Sequence, residues 1–197
     1  MTLFYIKYMK CIIGLGNPGK EYETTRHNAG FLCMDFLKES LGFDSFTSDK
    51  KMSAEISTGM LGGEKVLLVK PTTFMNNSGT TVQALMQFYK LAPADIVVIH
   101  DDLDIDRGVY KTTLSSRPAG HNGVADIIEK IGTQDFFRVR LGIGRPLCLA
   151  CKANESHIEN DLCVSPHTYV LQPFNQEEYA LLQTLFPEVQ KEIKHYC

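Results

Sequence analysis

No stretch of this chain is apolar for the ~18 residues that a membrane helix requires. A membrane-spanning reading is therefore set aside. The sequence also lacks a surplus of positive charge. Its 20 Lys and Arg stand against 23 Asp and Glu, a formal net charge of −3. No global positive field advertises nucleic acid, so an RNA partner would need a local basic patch. A secretory leader is missing as well. Met1 to Lys10 is apolar but short, carries Lys7 and Lys10 late, and has no small-residue cleavage site. A cytoplasmic protein is the expectation. Neither an internal repeat nor a linker interrupts the chain, and 197 residues suit one domain with a sizeable core. The hydrophobic share of 44% and the charged share of 22% are ordinary for a globular protein.

Short apolar runs alternate with helical periods. Cys11 to Leu15 reads as a buried strand stopped by glycine and proline. Ala54–Met60 and Lys65–Val69 read as strands joined by a turn at Gly62-Gly63. Ile96–Ile99 is apolar throughout and reads as a central strand. Val109–Leu114 is a further strand candidate. Arg138–Ile143 alternates arginine with apolar residues, which predicts one wet face. Helical spacing covers Asn28–Leu41, Ser78–Tyr89, Asn122–Ile131 and Asn175–Tyr196, with Val82, Leu85, Met86 and Phe88 on the inner face of the second. Strands alternating with helices predict an α/β fold: a single domain with a mixed, twisted sheet flanked by helices. Sites in such folds collect beyond the carboxyl ends of strands. Asn17, Asn76 and Asp101 all follow strands, which hints at one cleft.

Gly14-Leu15-Gly16-Asn17-Pro18-Gly19 matches the dinucleotide fingerprint G-x-G-x-x-G. The context argues against it. Pro18-Gly19 makes a turn rather than a helix start, and no strand ends in an acid about 20 positions on. Neither a G-x-S-x-G elbow nor a Cys–His nucleophile context is present. Attack by water is the economical mechanism. His27 could serve as its base, since an imidazole takes a proton near neutral pH. Asp101, beyond the most apolar strand, could orient and stabilise that imidazole. Asp102 and Asp104 read as turn acids. Three acids and His100 offer no second ligand set at a recognisable spacing, so they do not make a metal site. Asn28 or Thr25, Ser78 and Asn122 can be read as helix caps. Asn17, Asn76 and Asn122 also supply uncharged amides that could hold a peptide or an oxyanion.

Six cysteines are present. Cys11 and Cys33 lie in apolar runs and read as small core residues. Cys148, Cys151, His157, Cys163 and His167 have the residue types of a zinc site. Their second pair is irregular, and reduced thiols are the other reading. No metal and no cofactor are expected.

Five ordered blocks carry a resemblance that covers nearly the whole chain: Gly14 to Gly30, Lys70 to Gly79, His100 to Asp104, Gly120 to Gly123 and Arg138 to Pro146. Together they resemble the bacterial-type peptidyl-tRNA hydrolase family. The resemblance implies a monomeric mixed α/β domain that hydrolyses the peptide–tRNA ester without metal. It implies His27 as catalytic base and Asp101 as its partner. Asn17, Asn76 and Asn122 would hold peptide and water, Tyr22 and Met75 would shape the wall, and His121 would sit at the cleft rim. Lys111 and Arg140 match positions that meet tRNA phosphates. Sequence-neutral phosphate contacts suit an enzyme that accepts many tRNAs. Three features depart from the family pattern. Met1 to Tyr8 extends beyond the usual start. Thr113 stands where a second basic residue is often found, and Ser115-Ser116-Arg117-Pro118 replaces a glycine-rich stretch. Leu147 to His167 is long and rich in cysteine. The competing reading is a catalytically silent RNA-binding protein on the same fold. The complete set His27, Asp101, Asn17, Asn76 and Asn122 favours the enzyme.

Overall fold

The computed structural model describes residues 9–146 and 164–197. The expected N-terminal extension, residues 1–8, lies outside them. So do residues 147–163, which carry Cys148, Cys151, His157 and Cys163 of the candidate zinc set.

Among the described residues, seven strands form one mixed sheet. They are β1 (Met9–Gly14), β2 (Thr47–Asp49), β3 (Ala54–Leu61), β4 (Glu64–Pro71), β5 (Ile96–Asp102), β6 (Tyr110–Leu114) and β7 (Phe137–Gly142), in the order β2-β3-β4-β1-β5-β7-β6. The four inner strands, β4, β1, β5 and β7, run parallel. Their apolar runs are covered on both faces, as the physics of parallel sheets demands. The outer strands pair antiparallel. β3 and β4 form the expected hairpin, with Leu61 opposite Glu64 across Gly62-Gly63. Both glycines have positive φ, 60° and 88°, which a tight two-residue turn requires and a side chain would resist.

The helices are α1 (Ala29–Leu41), α2 (Ser78–Tyr89), α3 (Asn122–Ile131), α4 (Pro166–Val170) and α5 (Gln176–Tyr196). Val82 and Leu85 of α2 and Val124 and Ile127 of α3 pack on one sheet face, against Ile13, Leu67 and Val98. On the other face, Cys33, Met34 and Leu37 of α1 and Leu182, Leu185, Phe186 and Val189 of α5 pack against Ile12, Val97, Ile99 and Val139. Among the described residues, no helix is long and apolar enough to cross a membrane.

Two expectations are corrected here. Phe88 is exposed rather than on the inner face of α2, because that helix buries only the strip of Ser78, Gly79, Thr81, Val82 and Leu85. The arginine face of β7 is wet at one end only: Arg140 stays partly exposed, whereas Arg138 is buried and its guanidinium donates to the carbonyls of Ser116 and Arg117. Loop carbonyls replace water there. The three-residue β2 and the five-residue α4 are elements the sequence pattern did not mark.

One close approach aims α1. A Cβ on Gly30 would lie 2.5 Å from the Ile99 carbonyl oxygen and from the Leu15 backbone. The start of α1 therefore rests directly on the ends of β1 and β5, and the residues just before it hang over the sheet's carboxyl edge.

The far side of that segment is pinned by a buried ion network. Arg26 donates to Glu178 at 2.7 Å and to the carbonyls of Tyr169 and Gln172 at 3.2 and 3.3 Å. Its guanidinium lies 4.1 Å from the centre of the Tyr169 ring. Arg107 reaches the other Glu178 oxygen at 3.1 Å. Glu178 also closes the capping box of α5 with Asn175. Glu178→Ala leaves the buried Arg26 guanidinium without its counter-charge and opens that cap. The expected cost is about 3–5 kcal/mol, read from urea unfolding midpoints. A loss below 1 kcal/mol would contradict this role for the network.

Candidate active site

β5 is buried along its whole length, yet it ends in His100, Asp101 and Asp102. Burying a polar group costs free energy unless it is paired, and each of these residues finds a partner, although His100 Nε2 is left without one among the described residues. Asp101 lies at the centre. Its Oδ1 accepts from His27 Nδ1 at 2.9 Å and from His121 Nε2 at 3.1 Å, and its Oδ2 lies 3.1 Å from the same His27 nitrogen. A third imidazole, His100, donates from Nδ1 to the Asp101 carbonyl at 2.7 Å.

The tautomers follow from these bonds. His121 stands at the N-cap of α3, where its Nδ1 accepts from the Val124 N–H at 3.3 Å. That nitrogen carries the lone pair, so the proton is on Nε2 and points at Asp101. His27 likewise donates from Nδ1, and its Nε2 is left without a partner among the described residues. Burial opposes charge on His27, but the Asp101 carboxylate overrides it and raises the pKa above its ordinary value. Burial works against ionised Asp101 as well. The two imidazoles outweigh it and hold the carboxyl well below the usual range. Burial keeps His100 neutral. The donors of His27, Asp101 and His121 lie close enough to suggest a cation site. As bonded, however, the three form a donor–acceptor–donor cluster. His121 could offer Nε2 to a metal only by giving up the cap of α3.

A cleft of about 530 Å³ opens beside this cluster. Eight of the residues singled out in the sequence line it: His27, Asp101, Asn17, Tyr22, Met75, Asn76, His121 and Asn122. Asn17 is oriented on both sides. Its Oδ1 accepts from the Met75 N–H at 2.8 Å, which turns Nδ2 toward the cleft. Its backbone N–H and carbonyl are clamped by the Asn28 amide at 2.8 and 3.0 Å. Asn76, in the short turn that precedes α2, and Asn122, at the start of α3, are exposed. Met75 is buried beneath the wall, and Tyr22 meets Phe74 edge to face at 6.4 Å.

Several expectations change in detail. His121 is not at the rim: it is buried and shares the Asp101 carboxylate. No helix is capped by the side chain of Asn28, Thr25, Ser78 or Asn122. Asn28 is spent on Asn17, Thr25 and Ser78 donate to the carbonyls of Tyr22 and Met75, and α3 is capped by His121 instead. Lys111 and Arg140 do not line the cleft. They are register partners on β6 and β7. Lys111 is exposed, and Arg140 is paired with Asp102 at 2.8 Å. Sequence reasoning missed Phe74, Arg26 and the wall supplied by Pro166, Val170 and Leu171; it read Asn28 only as a cap and His167 only as part of the candidate zinc set. Arg26 and Asn28 flank His27, so adjacency was the available signal. The α4 wall gave none.

Asn28→Ala leaves the buried N–H and carbonyl of Asn17 unpaired. The expected loss is about 2–3 kcal/mol of stability, with unfolding followed by denaturant titration. A neutral substitution would mean that the clamp does not hold Asn17.

A family model described as peptidyl-tRNA hydrolase matches residues 11–197. A peptidyl-tRNA hydrolase of Desulfitobacterium hafniense is 44% identical over 177 residues, 90% of this chain and 86% of the relative. Another, from Mycolicibacterium vanbaalenii, is 50% identical over 135 residues, 68% of this chain and 70% of the relative. The crystal structure of peptidyl-tRNA hydrolase from Acinetobacter baumannii superimposes with a TM-score of 0.80 at 32% identity, covering 96% of this chain and 89% of that one.

Proposed function

The chain belongs to the peptidyl-tRNA hydrolase family, and we propose that it hydrolyses the peptide–tRNA ester by water that His27 activates, without a metal. The observation that carries this reading is the paired imidazole. His27 Nδ1–H is fixed on Asp101, and its Nε2 faces the cleft with no partner among the described residues.

Nε2 takes a proton from water as the oxygen attacks the ester carbonyl. Asp101 stabilises the imidazolium that forms and holds the ring in register. General-base help of this kind is worth about 10²–10⁴-fold. The carbonyl oxygen gains negative charge in the same step. Asn17 Nδ2, aimed by the Met75 N–H, is the donor best placed to meet it, at about 10²–10³-fold per donor. Asn76 and Asn122 hold the peptide backbone. Tyr22, Phe74 and Met75 provide an apolar wall for its side chains. The imidazolium then returns its proton to the departing ribose oxygen, so no covalent enzyme intermediate is needed. Lys111 and Arg140 contact tRNA phosphates on the neighbouring sheet edge.

The enzyme acts as a single-domain monomer in the cytoplasm, where translation supplies its substrate. Every group in this mechanism comes from one chain. The RNA-binding alternative gains nothing from the relatives, which are named as hydrolases.

The test is release of labelled peptide from N-acetyl-aminoacyl-tRNA in the presence of chelator. Wild type is expected to turn over, and His27→Ala to fall by at least about 10²-fold while keeping its fold. Near-normal turnover in the variant would remove His27 as base. Chelator-sensitive turnover would remove the metal-free mechanism. The pH profile carries the sign. His27 works unprotonated, and Asp101 raises its pKa. The acidic limb of kcat/KM is therefore expected above the ordinary histidine pKa near 6.5, and Asp101→Asn is expected to move it to lower pH.

A further inference from the structure

We infer that Asp102 is a positioning residue for tRNA, holding the Arg140 guanidinium by its inner nitrogen so that the outer two face a phosphate. The inference rests on the reading of Arg140 as a phosphate contact.

Asp102 Oδ2 accepts from Arg140 Nε at 2.8 Å. The carboxylate is buried and the arginine side chain is 19% exposed. Its two terminal nitrogens have no hydrogen-bond partner among the described residues, and neither is a buried orphan. A guanidinium fixed at Nε and open at its two NH2 groups presents the fork that fits two phosphate oxygens. Asp102 is itself immobile. Its Oδ1 accepts from the Asp104 N–H at 2.8 Å, and its carbonyl accepts from Ile143 N–H at 3.0 Å.

The neighbours explain why this arginine needs an anchor. Arg138, on the same face of β7, is committed to the carbonyls of Ser116 and Arg117. Thr113, opposite Arg138, offers no charge and accepts from Ser116 at 3.2 Å. That leaves Arg140 and its exposed register partner Lys111 as the cations of this edge pair. Asp102 also follows Asp101 directly in β5. One strand end thus fixes both the imidazole that activates water and the cation that registers the tRNA backbone.

Simple electrostatics predicts the opposite sign. Removing a carboxylate beside a phosphate site removes repulsion and tightens binding. Positioning predicts weaker binding, because a freed arginine must be ordered by the tRNA instead. The experiment measures affinity for uncharged tRNA across a salt series in wild type, Asp102→Ser, Arg140→Ala and the double variant. Serine keeps an oxygen for the Asp104 N–H turn but cannot reach Arg140. Asp102→Ser is expected to weaken binding about 3- to 10-fold. Arg140→Ala is expected to weaken it further and to flatten the salt slope by about one. In the Arg140→Ala background, Asp102→Ser is expected to add nothing, which damage to the fold would not produce. In wild type, the Arg140 Nε–H resonance is expected to stay hydrogen-bonded when tRNA is added. Unchanged or tighter binding by Asp102→Ser, with Arg140→Ala still weak, overturns the inference alone. An inert Arg140→Ala overturns the phosphate assignment and the inference together. Loss of the Nε–H bond on adding tRNA overturns it without any variant.

Discussion

Two imidazoles sharing one buried carboxylate organise this molecule. Asp101 has lost its water, and its charge is sustained by N–H donors from His27 and His121. Each donor in turn is aimed by something else. His121 is aimed by the start of α3, whose Val124 N–H takes its other nitrogen. His27 is aimed by the segment that precedes α1. Removing the carboxylate would leave the His27 tautomer unspecified and the cleft without a poised base.

The rest of the fold serves that geometry. Gly30 lets α1 touch the backbone of β1 and β5, so His27 arrives at the end of β5 rather than a side chain's width away. Arg26, the residue before it, is tied to Glu178 and to the carbonyls around α4. Asn28, the residue after it, clamps Asn17. Three consecutive residues thus fasten α5, the catalytic pair and the oxyanion donor to one another. Asp102 extends the same arrangement outward to Arg140 and the sheet edge.

The elements that periodicity marks are those with strong one-dimensional signals. The runs at Cys11–Leu15 and Ile96–Ile99 and the stripe from Ser78 to Tyr89 have lengths and spacings that few other arrangements satisfy. Residues at strand ends were legible as a cleft because the open sheet directs them to one edge. Their pairings were not. Nothing local distinguishes Asn28 as a cap from Asn28 as a clamp, since the choice depends on Asn17 lying across the sheet end. His121 reads as a rim residue until α3 needs an acceptor at its first turn. The burial of Arg138 follows from the loop carbonyls of Ser116 and Arg117, which arrive from a separate turn. Alternation along one strand cannot show what will cover it. The wall made by α4 is legible in neither pattern nor motif, because five residues are too few to carry a period.

The account turns on which nitrogens of the two imidazoles carry protons. Long-range nitrogen–proton NMR of histidine side chains in the free protein at mildly alkaline pH reads this directly. The geometry predicts His27 protonated at Nδ1, with a free Nε2, and His121 protonated at Nε2. A His27 ring protonated at Nε2 would have no lone pair facing the cleft, and the proposed base would not exist.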